Sequence, residues 1–149
     1  MSQPRVLRLQ DLPIIQAFEQ SRAERFELDP VERELKSWHA SWRKESLEHY
    51  LALSWSFGIW SQPDKGAPAL LGYFLAQPQL FFRGLTQTLW VERLVADDAA
   101  IASELVEIAY KISREKHFQK VLFHLQEDAP VESAIFQLQK VQPDFVELK

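Results

Sequence analysis

The strongest constraint on the fold is a strand, a helix and a second strand that follow one another between residues 86 and 125. Residues 86–96 predict a long, strong strand. The next segment, which is predicted to end near His117, has apolar residues at helical spacing, namely Ile101, Leu105, Ile108 and Ile112. Residues 121–125 are a short apolar run. The sequence therefore predicts two strands of one sheet that are joined by a helix.

A hairpin is predicted directly before this unit. Between residues 51 and 60, large apolar side chains alternate with mostly small or polar ones, which indicates a strand with one apolar face. Residues 63–66, Pro-Asp-Lys-Gly, are typical of a turn. Residues 69–77 are then predicted to form the returning strand, and residues 78–84 a loop.

The N-terminal part predicts one strand and two helices. Residues 6–10 alternate and indicate an opening strand, after which Asp11 is a predicted N-cap with Pro13 in the first helical turn. The pair Asp29-Pro30 is a second helix start. The apolar side chains predicted to share one face of this second helix are Val31, Leu35, Trp38 and Trp42.

The C-terminal part predicts a shorter helix over residues 130–141 and a closing edge strand over residues 145–148. The element order is then β-α-α-β-β-β-α-β-α-β. Three consecutive strands followed by a helix-linked pair favour an α/β (α+β) fold with a mixed sheet and helices on both faces. A length of 149 residues is typical of one domain, so we expect a single domain over residues 1–149.

Composition excludes several classes of protein. Hydrophobic residues make up 46% of the chain and charged residues 26%. This composition is more apolar than that of a disordered chain. The chain has no cysteine, which excludes a disulfide scaffold, a thiolate zinc site and a cysteine nucleophile. Its formal net charge of -4 gives no basic surface for nucleic acid. We find no signal peptide and no run of about 18 apolar residues, so we expect a cytoplasmic protein without a membrane partner.

Histidines and aromatic residues leave alternatives open. The four histidines have no metal-binding spacing, so no metal site is predicted. His124 lies on a short strand, where it is either a core histidine with local partners or a side chain that reaches a central cleft. Four aromatic residues either belong to a large core or line a cleft or an interface, namely Trp60, Phe81, Phe82 and Trp90.

The segment from Leu70 to Val141 resembles the GCN5-related N-acetyltransferase (GNAT) superfamily. The family's central strand has the pattern L-Y-L-E-D-L-x-V-D-P, and here residues 89–98 read Leu-Trp-Val-Glu-Arg-Leu-Val-Ala-Asp-Asp. The loop at residues 78–85, with Phe-Phe-Arg-Gly, is similar to that of the branch that acetylates polyamines and diamines. The resemblance implies a mostly antiparallel central sheet and transfer of an acetyl group from acetyl-CoA to an amine.

The resemblance also implies functional residues. Glu92 matches the acidic position that often acts as the base, which takes a proton from the acceptor ammonium. The backbone of Leu94, Val95 and Ala96 would hold the pantetheine arm of acetyl-CoA by strand-like hydrogen bonds. Amides near Ala102 and Ser103 would hold the diphosphate, because a helix N-terminus favours negative charge.

Two features depart from the family pattern. The family has a glycine-rich loop with a basic or glutamine residue between this strand and the helix, whereas the segment from Ala96 to Ala102 is shorter and has neither a glycine nor a basic residue. It carries Asp97 and Asp98 instead, and Asp98 is a predicted N-cap. The family's last helix commonly carries a tyrosine, and Leu138 stands at that position. The coenzyme loop is thus degenerate.

These features support two hypotheses. In the first, the chain is an N-acetyltransferase whose acceptor is a small amine or a protein amine and whose donor is acetyl-CoA. In the second, it is a catalytically inactive binding or regulatory module of the same fold, which binds a partner through an aromatic-lined cleft or a homodimer surface.

Overall fold

The computed structural model describes residues 2–26, 29–38, 40, 42–81, 86–124, 138–142 and 145–148. In chain order, the secondary structure elements are β1 (Ser2–Val6), α1 (Leu12–Phe26), α2 (Pro30–Trp38), α3 (Lys44–Ala52), β2 (Phe57–Ser61), β3 (Leu70–Phe81), β4 (Thr86–Ala96), α4 (Ala99–Glu115), β5 (Lys120–His124), β6 (Leu138–Gln142) and β7 (Phe145–Leu148). A short 3-10 helix, Leu9–Asp11, precedes α1.

The strands of the described part of the chain form one sheet in the order β1-β2-β3-β4-β5-β7-β6. Every neighbouring pair is antiparallel except β4 and β5, which are parallel because α4 connects them. The strand-helix-strand unit predicted from residues 86–125 is therefore confirmed, and so is the mixed, mostly antiparallel sheet.

Each face of the sheet carries its own core. On one face α4 packs against the strands, and the buried residues include Phe74, Leu89, Val91, Leu105 and Phe123. On the other face α1 and α3 pack against the strands, and the buried residues include Ile15, Leu47, Leu51, Tyr73 and Leu75. The prediction of helices on both faces is confirmed. We call the two faces of the sheet the α4 face and the α1/α3 face.

The strand predicted to begin at residue 51 begins at Phe57 instead. Residues 44–52 form α3, which the sequence analysis did not predict. The buried residues of α3 are Leu47, Tyr50 and Leu51, which are three and four positions apart and so share the face that contacts the sheet. The alternation of Leu51 with Leu53 is a coincidence, since Leu53 is an exposed C-cap.

The other N-terminal predictions also need correction. The opening strand is Ser2–Val6 rather than residues 6–10. Asp11, the predicted N-cap, is the last residue of the 3-10 helix directly before α1; it is buried, and its carboxylate accepts a hydrogen bond from the Arg8 amide at 2.8 Å. Helix α2 ends at Trp38, so Trp42 does not share its face. Val31 is exposed, as is Leu35, so these two side chains of α2 do not contribute to the core.

The predicted loop at residues 78–84 is a strand as far as Phe81, while residues 82–85 lie outside the described residues. Here β3 pairs with β4 through Pro78 and Leu89. Pairing of β2 with β3 ends at Phe74, so Pro78 lies where the strand has a neighbour on one side only, which is where proline is tolerated.

The C-terminal helix prediction is wrong at its end, because residues 138–142 form β6. The rest of that prediction, from residue 130 to 137, lies outside the described residues. The predicted strand at residues 145–148 is confirmed as β7, but β7 is not at the edge of the sheet, since it pairs with β5 on one side and β6 on the other. Leu138, which was compared with the family's tyrosine, is therefore on a strand.

Candidate functional site

Glu92 is the extra residue of a β-bulge in the middle of β4. On one side of it Arg93 pairs with Leu75 of β3, and on the other side Val91 pairs with the next residue, Ala76. Glu92 is therefore the one residue of β4 that is inserted between these two pairs. Bulges of this kind bend a strand and change the direction of side chains, and they are frequent next to active sites.

The bulge places two consecutive side chains on the same face of the sheet. Val91 and Leu94 belong to the α4 core, as alternation requires on each side of the bulge. Between them, Glu92 hydrogen-bonds to Trp90, and Arg93 hydrogen-bonds to Glu19 of α1. Both side chains thus lie on the α1/α3 face.

Beyond the bulge, β4 has a neighbour among the described strands on one side only. Its pairing with β3 continues to Ala96, which lies opposite Gly72. Its pairing with β5 ends at Val91 and Phe123 within the described residues. Residues 92–96 therefore present a strand edge that no described strand covers. Leu94, Val95 and Ala96, predicted to hold a pantetheine arm, all lie on this edge, and their binding role stays a prediction.

A polar cluster, here called the Glu92 cluster, consists of Tyr50, Trp90, Glu92 and His124. The indole Nε1 of Trp90 donates to Oε2 of Glu92 at 2.8 Å. Nδ1 of His124 lies 3.5 Å from Oε1 of Glu92, and the side chains of His124 and Glu92 are 30% and 23% exposed. The His124 ring also stacks on Trp90 with 5.8 Å between centroids. Of the two alternatives for His124, the structure favours the cleft.

Tyr50 brings α3 to this cluster. Burial, followed by the negative charge of Glu92, raises the pKa of Tyr50 well above its ordinary value. Its hydroxyl therefore keeps its proton at neutral pH and hydrogen-bonds to Glu92. The neighbouring His49 places Nε2 2.6 Å from Oε1 of Gln77, so the polar surface continues from the cluster onto β3. The cluster combines a partly exposed carboxylate with an imidazole and a phenol, which suits proton transfer.

A second polar group lies beside the cluster but is buried. It consists of Glu19 and Arg22 of α1, Tyr73 of β3 and Arg93 of β4, and we call it the Glu19 network. Oε1 of Glu19 accepts from Tyr73 at 2.5 Å and from Nε of Arg93 at 2.9 Å. Its Oε2 accepts from Nη2 of Arg93 at 2.9 Å and lies 3.7 Å from Arg22. Such paired and hydrogen-bonded charges fix the position of α1 on the sheet.

The start of α4 contains the residues predicted to hold a diphosphate. Oδ1 of Asp98 accepts from the Ile101 amide at 2.9 Å, and the Asp98 carbonyl accepts from the Ala102 amide at 3.1 Å. The N-cap prediction for Asp98 is thus confirmed. Ser103 lies inside the first two turns of the helix. The Asp98 carboxylate thus already accepts from the Ile101 amide, one of the amides that a diphosphate at this helix start would need, and the roles of Ala102 and Ser103 stay predictions.

Sequence reasoning missed Tyr50 and the Glu19 network. Tyr50 lies directly before the segment that was predicted as a strand, and no helix was predicted there. Glu19 lies within a predicted helix, where a glutamate is ordinarily exposed. A signal was available for Glu19, since it is separated from the apolar Ile15 by one turn and so shares the inward face.

Other candidate sites are weak. A cavity of about 420 Å³ between α1, α2 and the start of α3 is lined by Gln16, Gln20, Arg33, Trp42, Arg43 and Lys44 among others, and it includes none of the predicted site residues. The described residues contain no group of His, Asp and Glu that could hold a metal ion. Among them there is also no helix with the length and apolar character needed to cross a bilayer.

Comparison with known proteins identifies the fold. No family model matches the sequence, and no curated protein matches it. Solved structures do match. A GNAT-family acetyltransferase from Listeria monocytogenes is 12% identical with a TM-score of 0.66, over 98% of this chain and 92% of that chain. A GNAT-family acetyltransferase from Brucella melitensis in complex with acetyl-CoA is 15% identical with a TM-score of 0.63, over 99% of this chain and 87% of that chain.

The NatC complex bound to Gag peptide and CoA is a third match, 13% identical with a TM-score of 0.58, over 98% of this chain and 94% of that chain. Identities this low establish the fold and not the activity. The chain therefore has the fold of the GCN5-related N-acetyltransferase superfamily, as the resemblance at residues 70–141 implies.

Proposed function

We propose that the chain is an N-acetyltransferase that moves an acetyl group from acetyl-CoA to an amine. The observation that carries the proposal is Glu92, a partly exposed carboxylate on a β-bulge at the point where β4 and β5 stop pairing. A strand edge without a neighbour offers backbone hydrogen bonds to an extended chain that carries amides. Pantetheine is such a chain, and structures of this fold contain acetyl-CoA or CoA.

Glu92 is the proposed base. An amine is protonated at neutral pH and must lose a proton before its nitrogen can attack the thioester carbonyl. The nitrogen then bonds to the acetyl carbon, the carbon–sulfur bond breaks, and the thiolate that leaves takes up the proton that the new amide nitrogen releases. The indole of Trp90 holds one oxygen of Glu92 and His124 lies beside the other, so the carboxylate is oriented, and His124 is placed to pass the proton towards solvent. The acceptor is a small amine or a protein amine.

A second function, that of an inactive binding or regulatory module, is supported by a different observation. The Asp98 carboxylate already accepts a hydrogen bond at the start of α4, where a diphosphate would need free amides. In this alternative, acetyl-CoA does not bind and the aromatic residues beside Glu92 bind a partner. A homodimer and a cytoplasmic location remain predictions under both functions.

A binding and turnover experiment separates the two functions. Acetyl-CoA at millimolar concentration should raise the melting temperature if it binds in the micromolar range, since a ligand at a thousand times its dissociation constant adds about 4 kcal/mol of stability. The Glu92→Gln variant should still bind acetyl-CoA but lose at least about 100-fold in turnover of a diamine or an N-terminal peptide amine.

Glu107→Gln is the matched control, because Glu107 is an exposed glutamate of α4 on the far face of the sheet. It should leave binding and turnover unchanged. Failure of acetyl-CoA to bind, with neither a thermal shift nor a change in the NMR spectrum of the protein at millimolar concentration, rejects the transferase function and favours the inactive module. A shift together with full turnover in Glu92→Gln removes Glu92 from the role of base.

A further inference from the structure

We propose that the chain recognises its donor through the pantetheine arm alone and does not bind the diphosphate of acetyl-CoA at α4. The inference rests on the proposed transferase function and names its donor class: a pantetheine thioester, whether or not a nucleotide is attached. It follows from the path between Glu92 and α4, from the acceptors already present at the helix start, and from the close packing there.

The path from Glu92 to α4 is short and direct. Strand β4 ends at Ala96, and only Asp97 and Asp98 separate it from the first residue of α4. Four residue steps of about 3.3 Å separate Glu92 from Ala96, so the free edge is about 13 Å long. A donor that places its thioester at Glu92 and its amides along this edge therefore brings its far end to the start of α4.

At that end the protein supplies its own anion. The Asp98 side chain is held as the N-cap, in an extended backbone conformation, by the Ile101 amide. The preceding Asp97 adds a second carboxylate, and Nη2 of Arg25 lies 4.0 Å from its Oδ1. The Arg25 side chain is 61% exposed, so water screens its charge. A diphosphate would meet two carboxylates and would have to displace one from its amide.

Close packing holds this junction in place. The Asp97 amide donates to the Leu71 carbonyl at 3.0 Å. A Cβ atom on Gly72 would lie 2.8 Å from the Val95 carbonyl oxygen and 2.8 Å from a methyl group of Ile101. The first turn of α4 is thus packed against β3 and β4 without spare space. Residues 96–102 include no glycine that would let the backbone open around a phosphate.

The test compares three donors that differ only beyond the pantetheine arm. Acetyl-pantetheine, acetyl-4′-phosphopantetheine and acetyl-CoA are titrated into the full chain and followed by NMR, which also measures millimolar affinities. The inference predicts dissociation constants that agree within about threefold, because the arm supplies the shared contacts. Acetyl-CoA binding more than about threefold more tightly than acetyl-pantetheine overturns it. Failure of all three donors to bind rejects the proposed function as well, so the two failures are distinguishable.

Variants at the junction give an independent measurement. In Asp97→Asn/Asp98→Ser, serine still caps the helix while both charges are removed, so the chain should fold normally. The affinity for acetyl-CoA should rise at least fivefold, while that for acetyl-pantetheine stays the same. Asp29→Ser is the matched control, since Asp29 caps α2 by accepting from the Val31 amide at 3.0 Å, and it should change neither affinity. An unchanged acetyl-CoA affinity in the double variant contradicts the inference.

Discussion

The guanidinium of Arg93 binds the carboxylate of Glu19 through two hydrogen bonds of 2.9 Å, with both side chains almost fully buried. Arg93 directly follows the bulge residue Glu92, so this pair connects α1 to the strand at the point where the candidate base stands. The hydroxyl of Tyr73 and the guanidinium of Arg22 complete the surroundings of Glu19. The candidate site therefore depends on a buried charge network that lies just behind it.

Removing the charge of Glu19 should destabilise the protein strongly. Glu19→Gln leaves the buried Arg93 without its carboxylate, and breaking one side of such a pair costs about 3–5 kcal/mol. Urea unfolding at pH 7 measures this loss. The control is Glu48→Gln in the exposed Lys44–Glu48 pair, where the loss should stay below about 0.5 kcal/mol. Equal effects of the two substitutions would contradict the role given to the buried pair.

The stability of the protein should fall at alkaline pH because of Tyr73. Burial, and then the charge of Glu19, raise the pKa of Tyr73 well above 10.0. Below pH 10 both the folded and the unfolded chain keep this proton; above it the unfolded chain loses the proton first, so the free energy of unfolding falls by up to about 1.4 kcal/mol per pH unit.

Tyr73→Phe removes this contribution and should flatten the pH dependence by that amount. At pH 8 the same substitution should cost only about 1 kcal/mol, because a hydrogen bond to Glu19 is lost. Urea unfolding between pH 8 and pH 11 provides both values. A slope that is the same in the wild type and in Tyr73→Phe would show that Tyr73 does not titrate as described.

At acidic pH the residue to examine is Asp11. Burial alone would raise the pKa of its carboxyl, but hydrogen bonds from the Arg5 guanidinium and the Arg8 amide outweigh burial and hold the pKa below 3.8. The stability that this carboxylate adds is present above pH 3.8 and is lost as pH falls through the lowered pKa.

Asp11→Asn should therefore lower the free energy of unfolding at pH 7 by about 1 kcal/mol, a modest value because Arg5 is half exposed and screened by water. The difference from the wild type should shrink as the pH is lowered towards 2. Asp64→Asn, in the exposed turn between β2 and β3, should change the stability at pH 7 by less than about 0.5 kcal/mol.

Gly72→Ala should destabilise the junction of β3, β4 and α4. The added Cβ atom would lie 2.8 Å from the Val95 carbonyl oxygen, which is backbone and cannot rotate away, so we expect a loss of about 1–3 kcal/mol. Gly66→Ala is the comparison, since Gly66 has open space around it and only its φ of +94° resists a side chain. It should cost about 1 kcal/mol. Thermal unfolding of both variants decides whether the crowded position is the more sensitive one.

The sequence predicts correctly those elements whose buried apolar residues recur at regular spacing. The strand patterns and the helical spacing after residue 86 correspond to β4, α4 and β5, and the bounds of β4 are those predicted. Prediction failed at α3, since the helix is short and its inward residues are followed by Leu53, which imitates strand alternation. It also failed at residues 138–142, where pairing with β7 decides the conformation of a segment that has helical spacing.

The sequence predicts the strand and the helix that carry the candidate site, but not the side chains that surround Glu92. Glu92 was identified through a family resemblance, and Asp98 through the chemistry of helix caps. Tyr50 of α3 and His124 of β5 both lie more than thirty positions from Glu92 in the sequence, and no local sequence pattern predicts that they meet. The bulge was hidden for another reason, because both sides of β4 alternate normally and only the pairing with β3 shows the extra residue.

The extra residue of the bulge is Glu92, which carries the carboxylate of the candidate site. Deleting Glu92 would leave Val91 and Arg93 as consecutive residues, already opposite Ala76 and Leu75, and the two halves of the ladder would join into one uninterrupted antiparallel pair. The pairing of β3 with β4 therefore does not require Glu92. Because the acidic residue occupies the extra position, a search for equivalents in other chains should count residues along the strand as well as compare their identities.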